Sequence, residues 1–97
     1  MTPFRLDMPP HVADVIRSLH PDLKQLIKSV IRAIVANPEC GEPLKGELEG
    51  LRKYRVRRFC IVYAIDQKNR IIRLMAVGHR RSVYEELAER IRRKPRA

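Results

Sequence analysis

Ninety-seven residues with a formal charge of +10 and 44% hydrophobic content make a single domain, 1–97, with room for one modest core. No apolar run approaches the ~20 residues of a membrane span, so that class is excluded. All of the excess charge lies in residues 45–97, which hold sixteen Lys/Arg against six acids, whereas residues 1–44 balance five against five. Such asymmetry points to a polyanionic partner, against the blander alternative of a basic surface with no ligand.

The start Met1-Thr2-Pro3-Phe4-Arg5 lacks the apolar segment of a signal peptide, so a cytoplasmic protein is expected. Cys40 and Cys60 are far apart and join no Cys-x-x-Cys or His/Cys group. They are expected as reduced thiols, with neither metal nor disulfide.

In chain order, Phe4-Arg5-Leu6 reads as a short first strand. Pro9-Pro10 opens a helix, because proline suits a first helical turn. Val12, Val15, Ile16 and Leu19 give it one apolar face. His20-Pro21-Asp22 breaks that helix and begins a second, whose stripe is Leu23, Leu26, Ile27, Val30 and Ile34. Asn37-Pro38 ends it, so the pair forms a helical hairpin. Residues 39–50 hold three of the four glycines and are assigned to a loop.

Three strands follow. Tyr54-Arg55-Val56 alternates apolar and basic, residues 59–65 suit a buried central strand, and residues 71–77 form the last. The polar stretch 66–70 is the turn between the latter two. Ser82-x-x-Glu85 resembles a capping box, which puts Tyr84 in the first turn of a final helix lined by Val83, Leu87 and Ile91. The tail Arg92-Arg93-Lys94-Pro95-Arg96 is too charged to pack. The expected fold is α+β: an N-terminal strand, a helical hairpin, and a three-stranded antiparallel meander completing a four-stranded sheet, then a C-terminal helix. With the helices against one sheet face, the other can be wet and basic.

If Arg57-Arg58 is the turn of the first hairpin, Val56 faces Phe59 and Arg55 faces Cys60. Arg-Arg is a poor pair for a tight turn, and a wider one is the other option. Strand alternation would put Arg55 and Arg57 on one face, with Arg80, Arg81 and Tyr84 delivered to one end of the sheet. A surface lined by Arg55, Arg57, Arg80 and Tyr84 suits phosphate, because guanidinium forks match its oxygens bidentately.

The blocks Pro43-Leu44-Lys45-Gly46, Leu51-Arg52-Lys53-Tyr54-Arg55-Val56, Phe59-Cys60-Ile61-Val62-Tyr63 and Val77-Gly78-His79-Arg80-Arg81-Ser82-Val83-Tyr84 resemble the RelE/ParE superfamily of toxins. The chain is most similar there to the RelE-type mRNA interferases. The resemblance implies a type II toxin–antitoxin toxin that cuts mRNA in the ribosomal A site. In such enzymes the 2′-hydroxyl attacks the adjacent phosphate, leaving a 2′,3′-cyclic phosphate and a 5′-hydroxyl. It implies as partners a cognate antitoxin, mRNA and the ribosome with its rRNA, and no small-molecule cofactor.

Carried over by position, Arg80 stabilises the phosphorane, and Tyr84 abstracts a proton or stacks on a base. Arg55 and Arg57 occupy a strand where relatives carry basic residues. Lys45, Arg52, Lys53, Arg58, His79 and Arg81 are the expected RNA contacts. Two departures stand out. Cys60 sits where many relatives have arginine, and Arg55 stands where some use lysine, although a guanidinium shuttles protons badly.

Tyr54 and Tyr63 are read as packing residues and Cys60 as a small buried hydrophobe. His79 suits either proton donation or a structural hydrogen bond. His11 and His20 read as surface residues at helix ends, and Arg90, Arg92, Arg93 and Lys94 as a solvated helix face. Two alternatives to RNA cleavage remain: a ParE-like inhibitor of DNA gyrase, and a catalytically weak homologue serving in antitoxin binding and operon repression.

Overall fold

A computed structural model describes residues 3–93. The elements are β1 (Arg5–Asp7), α1 (Pro10–Arg17), α2 (Pro21–Ala36), β2 (Glu42–Pro43), β3 (Leu51–Val56), β4 (Phe59–Asp66), β5 (Ile71–His79) and α3 (Val83–Arg93). Residues 94–96 of the charged tail lie outside the described residues. Among those described, no helix is long and apolar enough to cross a membrane.

The α+β architecture is as expected, but the sheet has five strands in the order β1-β5-β4-β3-β2, not four. The added strand is β2, which falls in the expected loop and pairs Glu42 with Lys53 and Pro43 with Arg52. Two residues are too few to show alternation, and Pro43 is tolerated because an edge strand needs no donor on its outer side. β1 runs parallel to β5 and the other pairs are antiparallel.

Local chemistry sets the helix ends. Pro10 and Pro21 occupy first-turn positions. The His20 ring nitrogen Nδ1 accepts the Asp22 amide at 3.2 Å, so His20 caps α2 and is more than a surface residue. Val12 and Ile16 of α1 and Ile27, Ile31 and Ile34 of α2 are buried. The α2 stripe is thus rotated slightly toward Ile31, with Leu23, Leu26 and Val30 at its margin. These side chains meet Val56, Ile61, Tyr63, Ile72, Leu74 and Val77 on one sheet face. Each fully buried aliphatic stabilises by about 1.5–3 kcal/mol.

The second face is not simply wet. Cys60 and Val62 alternate with Ile61 and Tyr63, so they point the other way, and they are buried against Val83 and Leu87 of α3. The helices therefore divide between the two faces, with α3 covering part of the surface expected to be open. The β4–β5 ladder skips Met75 between the Tyr63–Leu74 and Val62–Ala76 pairs. The Met75 carbonyl at this bulge lies 3.2 Å from His11 Nε2, which ties α1 to β5.

Tyr63 confirms its packing role with an added polar one. Its buried hydroxyl donates to the Pro38 carbonyl at 2.6 Å and accepts from the Gly41 amide at 3.0 Å. Both bonds pin the segment that leads into β2.

Candidate functional site

Alternation along β3 sends Leu51, Lys53 and Arg55 to the α3 face and Arg52, Tyr54 and Val56 to the hairpin face. Arg55 pairs with Cys60 and Lys53 with Val62, so two cations flank the buried centre of β4. Tyr84, in the first turn of α3, lies over this spot. Its hydroxyl is 3.3 Å from Cys60 Sγ, and its ring centroid is 5.8 Å from Lys53 Nζ. Glu42, placed by β2, brings Oε2 to 3.9 Å from the same Nζ. The first cluster is therefore Glu42, Lys53, Arg55, Cys60 and Tyr84.

Burial raises the Tyr84 phenol far above its ordinary 10.0, and the Cys60 thiol adds to the rise, while Arg55 opposes it. A phenol so raised stays protonated near neutral pH. It suits stacking or hydrogen-bond donation. Tyr63 is also raised, mainly by burial. Both phenols hold a folded-state value above the unfolded one, so their stabilisation is present below pH 10.0 and is lost as pH rises through the folded values. Thermal melts on raising pH through 10.0 should show Tm falling more steeply for the wild type than for Tyr84→Phe.

A second cluster lies at the end of the sheet. Alternation stops at Val56, and Arg57 takes the left-handed φ of 57° at the turn. The turn, rather than a shared strand face with Arg55, therefore sets where Arg57 projects. The tight register is nevertheless the one found, with Val56 opposite Phe59. The Arg58 carbonyl accepts the Arg80 amide at 2.9 Å, which locks the turn to the exit of β5. Arg58, His79, Arg80 and Arg81 line an open hollow of about 490 Å³. His79 rests against Phe59, its cross-strand partner, with ring centroids 4.6 Å apart. Ring contact thus positions the imidazole beside three guanidinium groups.

Two expected RNA contacts lie elsewhere. Arg52 is on the hairpin face and donates to the Gly41 carbonyl at 2.7 Å and the Glu39 carbonyl at 3.4 Å, so it braces the approach to β2. Lys45 lies beyond Tyr84, in a groove shared with Glu47, Leu48, Glu85 and Arg92. There Glu47 accepts from Arg92 at 2.7 Å, which clips the loop to α3. A larger, apolar hollow of about 720 Å³ between α1, β5 and α3 contains none of the first cluster.

Sequence reasoning missed Glu42. Its one signal was its place beside Pro43 at the head of a quoted block, and nothing local reveals that β2 carries it to Lys53.

A family model described as the ParE-like toxin of type II bacterial toxin–antitoxin systems matches residues 6–88. No curated protein matches the chain significantly. Several solved structures share its fold. A doubly substituted Escherichia coli RelE in the free state is 21% identical, with a TM-score of 0.75, covering 93% of this chain and 99% of its own. The RelBE2 toxin–antitoxin complex of Mycobacterium tuberculosis gives 21% identity and a TM-score of 0.73, over 81% of this chain and 100% of that one. A YoeB/ParE toxin from Agrobacterium tumefaciens gives 19% and 0.70, over 78% and 98%. With the match spanning both helical layers and all but the first residues of the sheet, the chain belongs to the ParE-like toxin family of type II bacterial toxin–antitoxin systems.

Proposed function

We propose that this toxin is a ribosome-dependent mRNA endoribonuclease of the cytoplasm, held inactive by a cognate antitoxin. The observation that carries this reading is the pairing of Glu42 with Lys53 beside Tyr84, on a face flanked by Arg55. A carboxylate and an ammonium side by side supply a base and an acid, and the arginines supply fixed positive charge.

The 2′-hydroxyl gives its proton to Glu42 as O2′ attacks phosphorus. Arg55 and Arg80 stabilise the charge of the phosphorane, and Arg57, Arg58 and Arg81 hold flanking phosphates. Lys53, unlike an arginine, can release a proton, and it protonates the departing 5′-oxygen. The products are a 2′,3′-cyclic phosphate and a 5′-hydroxyl. Tyr84 stacks on a base, the usual way single-stranded RNA is held. His79 steadies the arginine cluster against Phe59.

Primer extension on mRNA after induction tests this reading. New 5′-ends within translated codons, absent when ribosomes are withheld in vitro, are the expected result. The match to a ParE-like family model favours gyrase as the second reading. Inhibition of purified gyrase in a supercoiling assay, with mRNA left intact, would establish it instead. With five guanidinium groups (Arg55, Arg57, Arg58, Arg80 and Arg81) on phosphates, log K for single-stranded RNA should fall against log salt with a slope of about −3.5. A filter-binding salt series measures it.

A further inference from the structure

Cys60 replaces an expected phosphate ligand, yet the structure gives it a definite partner. It sits on the central strand at 1% exposure, between Arg55 on β3 and Gly78 on β5. Gly78 has no side chain, and Val83 packs over it instead. The Tyr84 hydroxyl reaches down to 3.3 Å from Sγ. A phenol is the stronger donor and a thiol the weaker, so the favoured sense is Tyr84 O–H to Cys60 sulfur. The ring is also packed by the apolar cluster that includes Val83 and Leu87. Its first-turn position in α3 fixes its backbone, and the thiol fixes its far end.

We propose that Cys60 is the positioning residue of Tyr84: the thiol anchors the phenol to the central strand and holds the ring beside Lys53 as a rigid stacking platform. A short side chain is required, because at this buried site a longer one would fill the space that the hydroxyl occupies. The functional half of this proposal rests on the RNA-cleavage reading, whereas the contact itself does not. The raised phenol agrees with a hydrogen bond made by its neutral form. The charged groups beside the phenol are Lys53 and Arg55 from β3 and Glu42 from β2, and Lys45, Glu47, Glu85, Glu89 and Arg92 line the groove that Tyr84 shares. None of these changes in the test.

The test uses the full chain with Cys60→Ala, Cys60→Ser and the wild type, each paired with its Tyr84→Phe counterpart. Ultraviolet difference titration of each pair isolates the Tyr84 phenolate, and circular dichroism monitors the fold. Cys60→Ala should form Tyr84 phenolate about one pH unit or more below the wild type, and Cys60→Ser should restore most of the shift. Cleavage of ribosome-bound mRNA should lose about tenfold in kcat in Cys60→Ala with little change in KM, and regain it in Cys60→Ser. A Tyr84 titration identical in the wild type and Cys60→Ala overturns the proposal. Equal shifts in the alanine and serine variants also overturn it, by showing that the thiol only fills space. If the titration shifts as expected while the wild type never cuts mRNA, the anchor stands and the cleavage reading falls.

Discussion

Replacing Arg80 with alanine should slow cleavage of ribosome-bound mRNA about 100–1000-fold, the loss expected for one oxyanion-stabilising donor, or roughly 3–4 kcal/mol. The effect should be chemical, not structural. The Arg80 side chain is exposed, and the bond that locks this segment to the turn uses its backbone amide, which alanine retains. Arg80→Lys should recover only part of the rate, because an ammonium carries the charge without the bidentate fork. Tyr84→Phe should cost less, since it keeps the stacking face and loses only the bond to Cys60. Rates for Arg80→Ala within about threefold of wild type, with normal folding and ribosome binding, would remove Arg80 from the chemistry and move weight to Arg55 or Arg58.

That ordering of effects could be drawn from the sequence only in part. The two helices and three long strands were legible because proline and polar breaks mark their ends and apolar periodicity fills them. The pairing of Arg55 with Cys60 follows from period-two alternation with residues 57–58 as the turn. What was not legible depends on contacts distant in sequence. β2 is two residues long and exists only because Arg52 and Lys53 pair with it. Arg52 looks like any other arginine in a basic run until Gly41 is seen to lie beneath it. Likewise, α3 carries a clear apolar stripe, but no pattern says which sheet face receives it. Alternation does not extend to Arg57, because its left-handed backbone ends the strand at the turn.

The division of basic residues follows from the same geometry. Lys53 is partly enclosed by its neighbours, with a side chain 27% exposed between Glu42 and the Tyr84 ring. An exposed ion pair contributes only about 0.2–1 kcal/mol to stability. On the RNA-cleavage reading, the Glu42–Lys53 contact therefore matters less for holding the fold than for keeping a proton acceptor and a proton donor adjacent. Glu42 sits on the shortest strand of the sheet, so on that reading whatever fixes β2 also sets the chemistry.

Gly41 is that fixing point, and Gly41→Ala should be the most damaging single-methyl change outside the hairpin core. The residue has φ −84° and ψ 163°, which any amino acid adopts, so the constraint is space and not conformation. An added Cβ would lie 2.7 Å from the Lys53 carbonyl and closer still to the Tyr63 hydroxyl. The carbonyl is sheet backbone and cannot swing aside. Tyr63 is fully buried and bonded on both sides, to Pro38 and to Gly41 itself. Relief therefore requires the 38–43 segment to lift, which breaks the Gly41–Tyr63 and Arg52–Gly41 bonds together. Overpacking costs about 1–3 kcal/mol, and orphaned buried partners cost a similar amount. The expected loss is about 2–5 kcal/mol in urea unfolding. Tyr63→Phe, which removes the hydroxyl's bonds to Gly41 and Pro38 but keeps the Arg52–Gly41 bond and makes no clash, should lose about 1–3 kcal/mol. Because the lifted segment carries Glu42, the Gly41→Ala protein that remains folded should also cut mRNA poorly, whereas Tyr63→Phe should keep more of its rate. If Gly41→Ala were as stable as wild type, Tyr63 would have to yield space that its two hydrogen bonds deny, and the link between this loop and Glu42 would fail with it.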